Sequence, residues 1–175
     1  MRNLLKKTTV TAIALCVAGV ATAQSLTAIG AAVDWTVFQD PSNAKYCYIV
    51  SSPTSSKAMK DGAEVSVTRG DIRLYIAIKN GATEPSFLAG YPLANDKAVE
   101  AKIGGEVFNY FTNSSANAEY AWPSPQSDGQ LISSMKKGVD VVVTGLSQRG
   151  TQTVDTFSLK GFTAAYNKAV ETCAN

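Results

Sequence analysis

The sequence predicts a mainly β protein: an antiparallel β-sandwich or barrel-like sheet pair with a short helix and a C-terminal helix. Three observations carry that expectation. Apolar and polar residues alternate with period two through the middle of the chain, turn signals separate the alternating runs, and two segments change to a helical period. The runs are not separated by long helical stretches, which sets aside a doubly wound α/β fold.

The elements follow in chain order. Residues 34–38 and 46–51 read as early strands, the second with Cys47 among Tyr46, Tyr48, Ile49 and Val50. Ser51-Ser52-Pro53-Thr54-Ser55-Ser56 reads as a loop. Val65 and Val67 alternate with Glu64, Ser66 and Thr68 as one strand, and Ile72, Leu74, Ile76 and Ile78 alternate with Arg73, Tyr75, Ala77 and Lys79 as the next. Arg69-Gly70-Asp71 between them reads as a tight hairpin turn. Residues 87–91 form a weaker strand candidate. Val99, Ala101 and Ile103 pair through Gly104-Gly105 with residues 107–111. Asn113-Ser114-Ser115 reads as a loop.

Ser127-Asp128-Gly129-Gln130 fits a capping box, and Leu131, Ile132 and Met135 follow on one helical face. Lys136 and Lys137 suit the helix C-terminus, with Gly138 as a left-handed residue past the end. Residues 139–146 and 151–159 form a later hairpin. After Gly161 the apolar residues Phe162, Ala165, Tyr166, Ala169 and Cys173 line a single helical stripe. The reading totals six to nine short strands and two helices.

The N-terminus has a different use. Arg2, Lys6 and Lys7 precede an apolar run that ends in Ala21-Thr22-Ala23, the pattern of a secretory signal peptide cleaved between Ala23 and Gln24. The run is short of the roughly 20 apolar residues that a spanning helix needs. The expected organisation is a signal peptide over residues 1–23 and a single domain over 24–175, with no transmembrane segment after cleavage. Residues 1–23 carry three of the basic residues and no acid, so their loss turns the +2 of the whole chain into −1. No positive field then remains to hold nucleic acid. The mature chain keeps Cys47 and Cys173, and two cysteines in an exported protein are expected to form one disulfide.

The chain has no histidine, which removes histidine triads and imidazole metal sites. Two distant cysteines leave a zinc site half filled, so no metal and no cofactor is expected. Ser133 and Lys136 match S-x-x-K without the companion elements of the enzymes that use it. No catalytic residue and no enzymatic activity is expected. Arg69-Gly70-Asp71 invites an adhesion reading, but Gly-Asp is ordinary turn chemistry. Trp35, Tyr91 and Trp122 are candidates for an aromatic binding surface, and Arg149, with Ser147, Thr151 and Thr153, for an anion contact.

An ordered series of motifs runs through the mature chain: Asp34-Trp35-Thr36-Val37, Cys47, Arg69-Gly70-Asp71, Gly90-Tyr91-Pro92, Ile103-Gly104-Gly105, Ala121-Trp122-Pro123, Met135-Lys136-Lys137-Gly138, Ser147-Gln148-Arg149-Gly150-Thr151, the segment from Asp155 to Ala165, and the final cysteine. In these pieces, their order and their spacing, the chain resembles the invasion-associated locus B family of exported bacterial proteins. The resemblance implies a β-rich protein of the periplasm, outer-membrane-associated or secreted, linked in some bacteria to entry into host cells. The functional expectation is a non-enzymatic envelope or surface domain that binds an envelope or host-cell protein. The alternative is a periplasmic carrier with a small-ligand pocket between its sheets.

Overall fold

The computed structural model describes residues 27–113 and 117–173. The expected signal segment, its cleavage site at Ala23 and Gln24, and Ser114 and Ser115 of the expected loop lie outside the described residues.

Twelve strands join in one antiparallel sheet. They are β1 (Thr27–Ala32), β2 (Trp35–Asp40), β3 (Asn43–Ser51), β4 (Ser55–Lys60), β5 (Ala63–Glu64), β6 (Arg73–Lys79), β7 (Ala82–Leu88), β8 (Val99–Ile103), β9 (Glu106–Thr112), β10 (Tyr120–Pro123), β11 (Asp140–Leu146) and β12 (Gln152–Ser158). Their order across the sheet is β1-β2-β3-β6-β7-β10-β9-β8-β11-β12-β4-β5. Helix α1 (Asp128–Lys137) precedes β11, and α2 (Phe162–Cys173) ends the described chain.

One phase of each alternating strand builds the core. Trp35 and Val37, Cys47 and Ile49, Leu74, Ile76 and Ile78, Val99 and Ala101, and Val141 and Val143 are all buried. The sheet curls so that its inner face meets itself. Phe87 on β7 packs edge to face on Phe157 of β12 with ring centroids 6.2 Å apart, although four strands separate β7 from β12 in the sheet. The Trp35 indole N–H donates to the Ser158 carbonyl at 3.0 Å, drawing β2 towards the end of β12. The sheet does not close, and β1 and β5 remain its edges. The sandwich-like arrangement is therefore one bent sheet rather than two separate ones.

Helix α2 buries Phe162, Ala165, Ala169 and Cys173, the stripe read from the sequence, against β1, β2 and β3. Its last residue bonds to Cys47 at a Cα separation of 5.8 Å. Helix α1 buries Leu131, Ile132, Ser134 and Met135.

Several local expectations are corrected. Twelve strands replace the six to nine expected. Strand β4 starts at Ser55, inside the expected loop, because β12 offers it a ladder and its largely exposed side chains need no apolar alternation. Val65 and Val67 lie outside any strand, and Arg69-Gly70-Asp71 is no hairpin turn. Strand β5 ends at the sheet edge while β6 pairs with β3 and β7, so the chain between them crosses over. The strand expected at 87–91 is Ala82–Leu88, set by the Asn80-Gly81 turn, where both residues have positive φ (50° and 80°) and match a type I′ hairpin. Pro85 is tolerated there because β10 pairs with β7 only at Phe87 and Leu88, so its missing N–H breaks no ladder.

At α1 the capping box does not form. The Ser127 hydroxyl donates to the Ser124 carbonyl at 2.7 Å, and the Gln130 amide donates to Glu106 at 3.2 Å. Gly138 is not left-handed, with φ −74°. Its lack of a side chain serves close packing, since a Cβ would lie 2.7 Å from Ile103 Cγ2 and 2.8 Å from Leu159 Cδ1.

Candidate functional site

The face of the sheet turned away from the core carries an aromatic row. Phe38 sits on β2, Tyr46 and Tyr48 on β3, Tyr75 on β6, and Tyr120 and Trp122 on β10. They occupy the outward phase, opposite the side chains that these strands bury in the core, and each is half-buried by its neighbours. Ring centroids are 5.3 Å apart for Phe38–Tyr48, 6.3 Å for Tyr48–Tyr75, 6.4 Å for Tyr75–Tyr120 and 5.7 Å for Tyr120–Trp122. Tyr75 reaches Tyr120 across the intervening strand because Ser86, its partner on β7, is small.

All of these rings except Phe38 wall a groove of about 290 Å³ whose other lining residues are Ala77, Glu84 and Ser86. The Glu84 carboxylate is neither hydrogen-bonded nor ion-paired to any described residue. Burial pushes the Tyr46 phenol above its usual range, helped by the charges of Glu84 and Asp40. Burial likewise raises Tyr75, and raises Tyr48 to about 12 with help from Tyr46, Tyr75 and Asp40. All three stay neutral at physiological pH. The Tyr48 hydroxyl is buried without a hydrogen-bond partner among the described residues.

A second concavity, of about 230 Å³, lies beside the β11–β12 turn and is lined by Arg69, Tyr91, Pro92, Ser147, Arg149 and Thr151 among others. Arg69 forms its floor. Its guanidinium makes two parallel bonds to Asp155, Nη1 to Oδ1 at 2.7 Å and Nη2 to Oδ2 at 2.8 Å, and donates through Nε and Nη2 to the Ala89 carbonyl at 3.0 and 2.7 Å. The side chains are 8% and 0% exposed. The Tyr91 ring lies 4.9 Å from the guanidinium carbon, and its hydroxyl shares a 2.6 Å hydrogen bond with Thr153. Burial raises the Tyr91 phenol's pKa. A backbone crossing aims Arg69 inward: the Gly70 N–H donates to the Gly90 carbonyl at 2.9 Å. Gly90 has φ +72°, and a Cβ on it would lie 2.7 Å from the Gly70 oxygen, so no other residue fits without rearrangement.

The four residues expected at a binding surface are thus divided. Trp35 is a core residue, 1% exposed, against Phe162 at 5.0 Å, because it sits on the inward phase of β2 beneath α2. Tyr91 and Arg149 meet in the smaller concavity, where Arg149 is exposed and Tyr91 half-buried. Trp122 lies in the aromatic row. Ser133 donates to the Gly129 carbonyl at 2.9 Å, and Lys136 Nζ lies 4.4 Å from the Tyr166 ring centroid, so both groups of that motif are engaged elsewhere. Arg69 of the tripeptide is an internal strut. The tyrosines of the row and the Arg69–Asp155 pair were missed in the sequence. The signal for the tyrosines was present: Tyr75 occupies the outward phase of a strand whose inward phase was recognised, and Tyr46 and Tyr48 flank Cys47 in a segment read as a strand.

No helix among the described residues is long and apolar enough to cross a membrane. The family model described as "Invasion associated locus B (IalB) protein" matches residues 35–170. The crystal structure of invasion associated protein b from Bartonella henselae is similar over 79% of this chain and 92% of that one, with a TM-score of 0.55 and 13% identity. At that identity the likeness is one of fold. No curated protein matches the chain.

Proposed function

Since the chain belongs to the invasion associated locus B family, we propose that it is an exported, non-enzymatic domain that binds another protein through the aromatic face of its sheet. The observation that carries this reading is the row of half-exposed rings gathered from β2, β3, β6 and β10 on a face that no helix of the described residues covers. Aromatic side chains bury large areas on binding and lose little rotamer freedom, which is why they anchor protein interfaces. Export is supported by the signal pattern at residues 1–23, with cleavage between Ala23 and Gln24, and by the buried disulfide. The proposed location is the periplasm, with outer-membrane association or release as onward steps. The proposed partner is an envelope or host-cell protein, and the proposed link to host-cell invasion is suggested by the family's description.

A photocrosslinking residue at Ser86, in the groove, tests the reading against one at Lys168, on the exposed side of α2. Discrete adducts in the native envelope from Ser86 and none from Lys168 are the expected result. Identical adducts from both sites, or none from Ser86, overturn it. The carrier reading draws on the concavity that holds Tyr91 and Arg149. Its volume of about 230 Å³ is below the roughly 300–1,000 Å³ usual for small-molecule sites. Native mass spectrometry of protein from its own envelope decides between them, because a co-purifying small molecule favours the carrier.

A further inference from the structure

We infer that the aromatic groove is a receptor for an organic cation, the lysine or arginine side chain of the protein partner. This deepens the protein-binding reading and rests on it. Four tyrosines and a tryptophan (Tyr46, Tyr48, Tyr75, Tyr120 and Trp122) wall the groove, and one carboxylate, Glu84, lines it. An aromatic ring carries negative charge on its face, and a cation within about 6 Å of the centroid is attracted to it. Tilted neighbours offer such faces from several directions: Tyr46 and Tyr48 meet at 52°, and Tyr48 and Tyr75 at 58°.

The charge pattern agrees. Glu84 makes no salt bridge among the described residues, so its carboxylate is open to a cation entering beside electron-rich rings. An apolar or anionic occupant would leave that charge unpaired or repelled, whereas a cation satisfies it and the rings together. The fold already shows the contact in miniature at the groove's edge, where Lys79 Nζ lies 5.9 Å from the Tyr46 centroid. Ala77 and Ser86 keep the groove open, because a larger residue at either position would fill it. The volume of about 290 Å³ suits one side chain rather than a folded segment. Phe38 stacks on Tyr48 at one end of the row, and Phe111, 54% exposed, pairs with Trp122 at the other. These extend apolar contact beyond the groove, as a polypeptide carrying the side chain would require.

The test follows the aromatic side-chain NMR resonances of the purified protein during titration with four probes: N-acetyl-lysine amide, N-acetyl-arginine amide, the neutral N-acetyl-norleucine amide, and tetramethylammonium. Saturable shifts at Tyr46, Tyr75 and Trp122 with the lysine or arginine amide, and none with the norleucine amide, are expected. Glu84→Gln should weaken that binding about three- to tenfold, the range of one solvent-exposed charge contact. Glu84 is exposed, so the variant should fold, and an unchanged melting curve verifies this. Equal shifts with the norleucine amide, or an undiminished affinity in Glu84→Gln, overturn the inference. A response to tetramethylammonium alone assigns the groove to a quaternary ammonium group and overturns the side-chain occupant. If photocrosslinking from Ser86 succeeds while the cationic amides fail, the protein-binding reading stands and the cation receptor falls.

Discussion

Arg69 and Asp155 show what one residue pair does for this fold. The carboxylate is fully buried, and the guanidinium closes on it with two parallel hydrogen bonds. Two further donations to Ala89 tie the crossover segment to the end of β7. Removing one partner leaves a buried charge with nothing to pair with, which costs about 3–5 kcal/mol. Asp155→Ala should therefore lower unfolding free energy by that order in urea denaturation. The double variant Arg69→Met with Asp155→Leu should recover most of the loss, because apolar residues of similar volume often replace a buried pair at little cost. A double variant as unstable as the sum of the singles would show that the two side chains act separately. The same geometry disposes of the adhesion idea: a guanidinium held under Tyr91 is not presented to a receptor.

At the scale of elements, α1 holds a titrating group at its first residue. Burial, and secondarily the charge of Glu84, raises the Asp128 carboxyl from 3.8 to about 6, and its Oδ1 has no hydrogen-bond partner among the described residues. A folded-state pKa above the unfolded value means that the protonated form is favoured by folding. The contribution is complete below about pH 4 and is lost as pH rises through about 6. Asp128→Asn removes the titration at nearly constant shape. The variant should melt above the parent at pH 7 to 8, and the difference should shrink as pH falls towards 4. The positive end of the helix dipole opposes this by favouring a charged Asp128. A variant less stable than the parent at pH 7 would show that the dipole outweighs burial.

For the whole molecule, the decisive tether is the Cys47–Cys173 bond, which joins β3 to the end of α2 across a sequence separation of 126. Closing so long a loop removes chain entropy from the unfolded state worth about 5 kcal/mol. Cys173→Ser should lower the melting temperature by roughly 10–20 °C for a domain of this size, as measured by calorimetry. An unchanged melting curve would mean that α2 docks by its apolar stripe alone. Both sulfurs are fully buried, so mild reductant should leave the native bond intact. The same curled sheet fixes the outward face: what β2, β3 and β6 bury inside leaves their aromatic phase on the side away from α2.

Local physics was legible in the sequence wherever one period dominated. The β8–β9 and β11–β12 hairpins, the inward phase of β6, the stripe of α2 and the cysteine pair were all readable, because side-chain direction repeats every two residues in strands and every 3.6 in helices. The exposed strands β1 and β4 were not, since strands with little to bury carry no alternation. Neither was the path after β5, where Val65 and Val67 alternate like a strand while the chain leaves the sheet. By itself, then, the sequence determined which face of each alternating strand is apolar and which two segments are helical. Tertiary structure alone decided which strands are neighbours, and so brought Arg69 onto Asp155 across 86 residues and gathered aromatic rings from three strands around Glu84. The physical reason is that alternation records what each residue faces, whereas pairing order depends on long-range hydrogen bonds that leave no periodic trace in the chain.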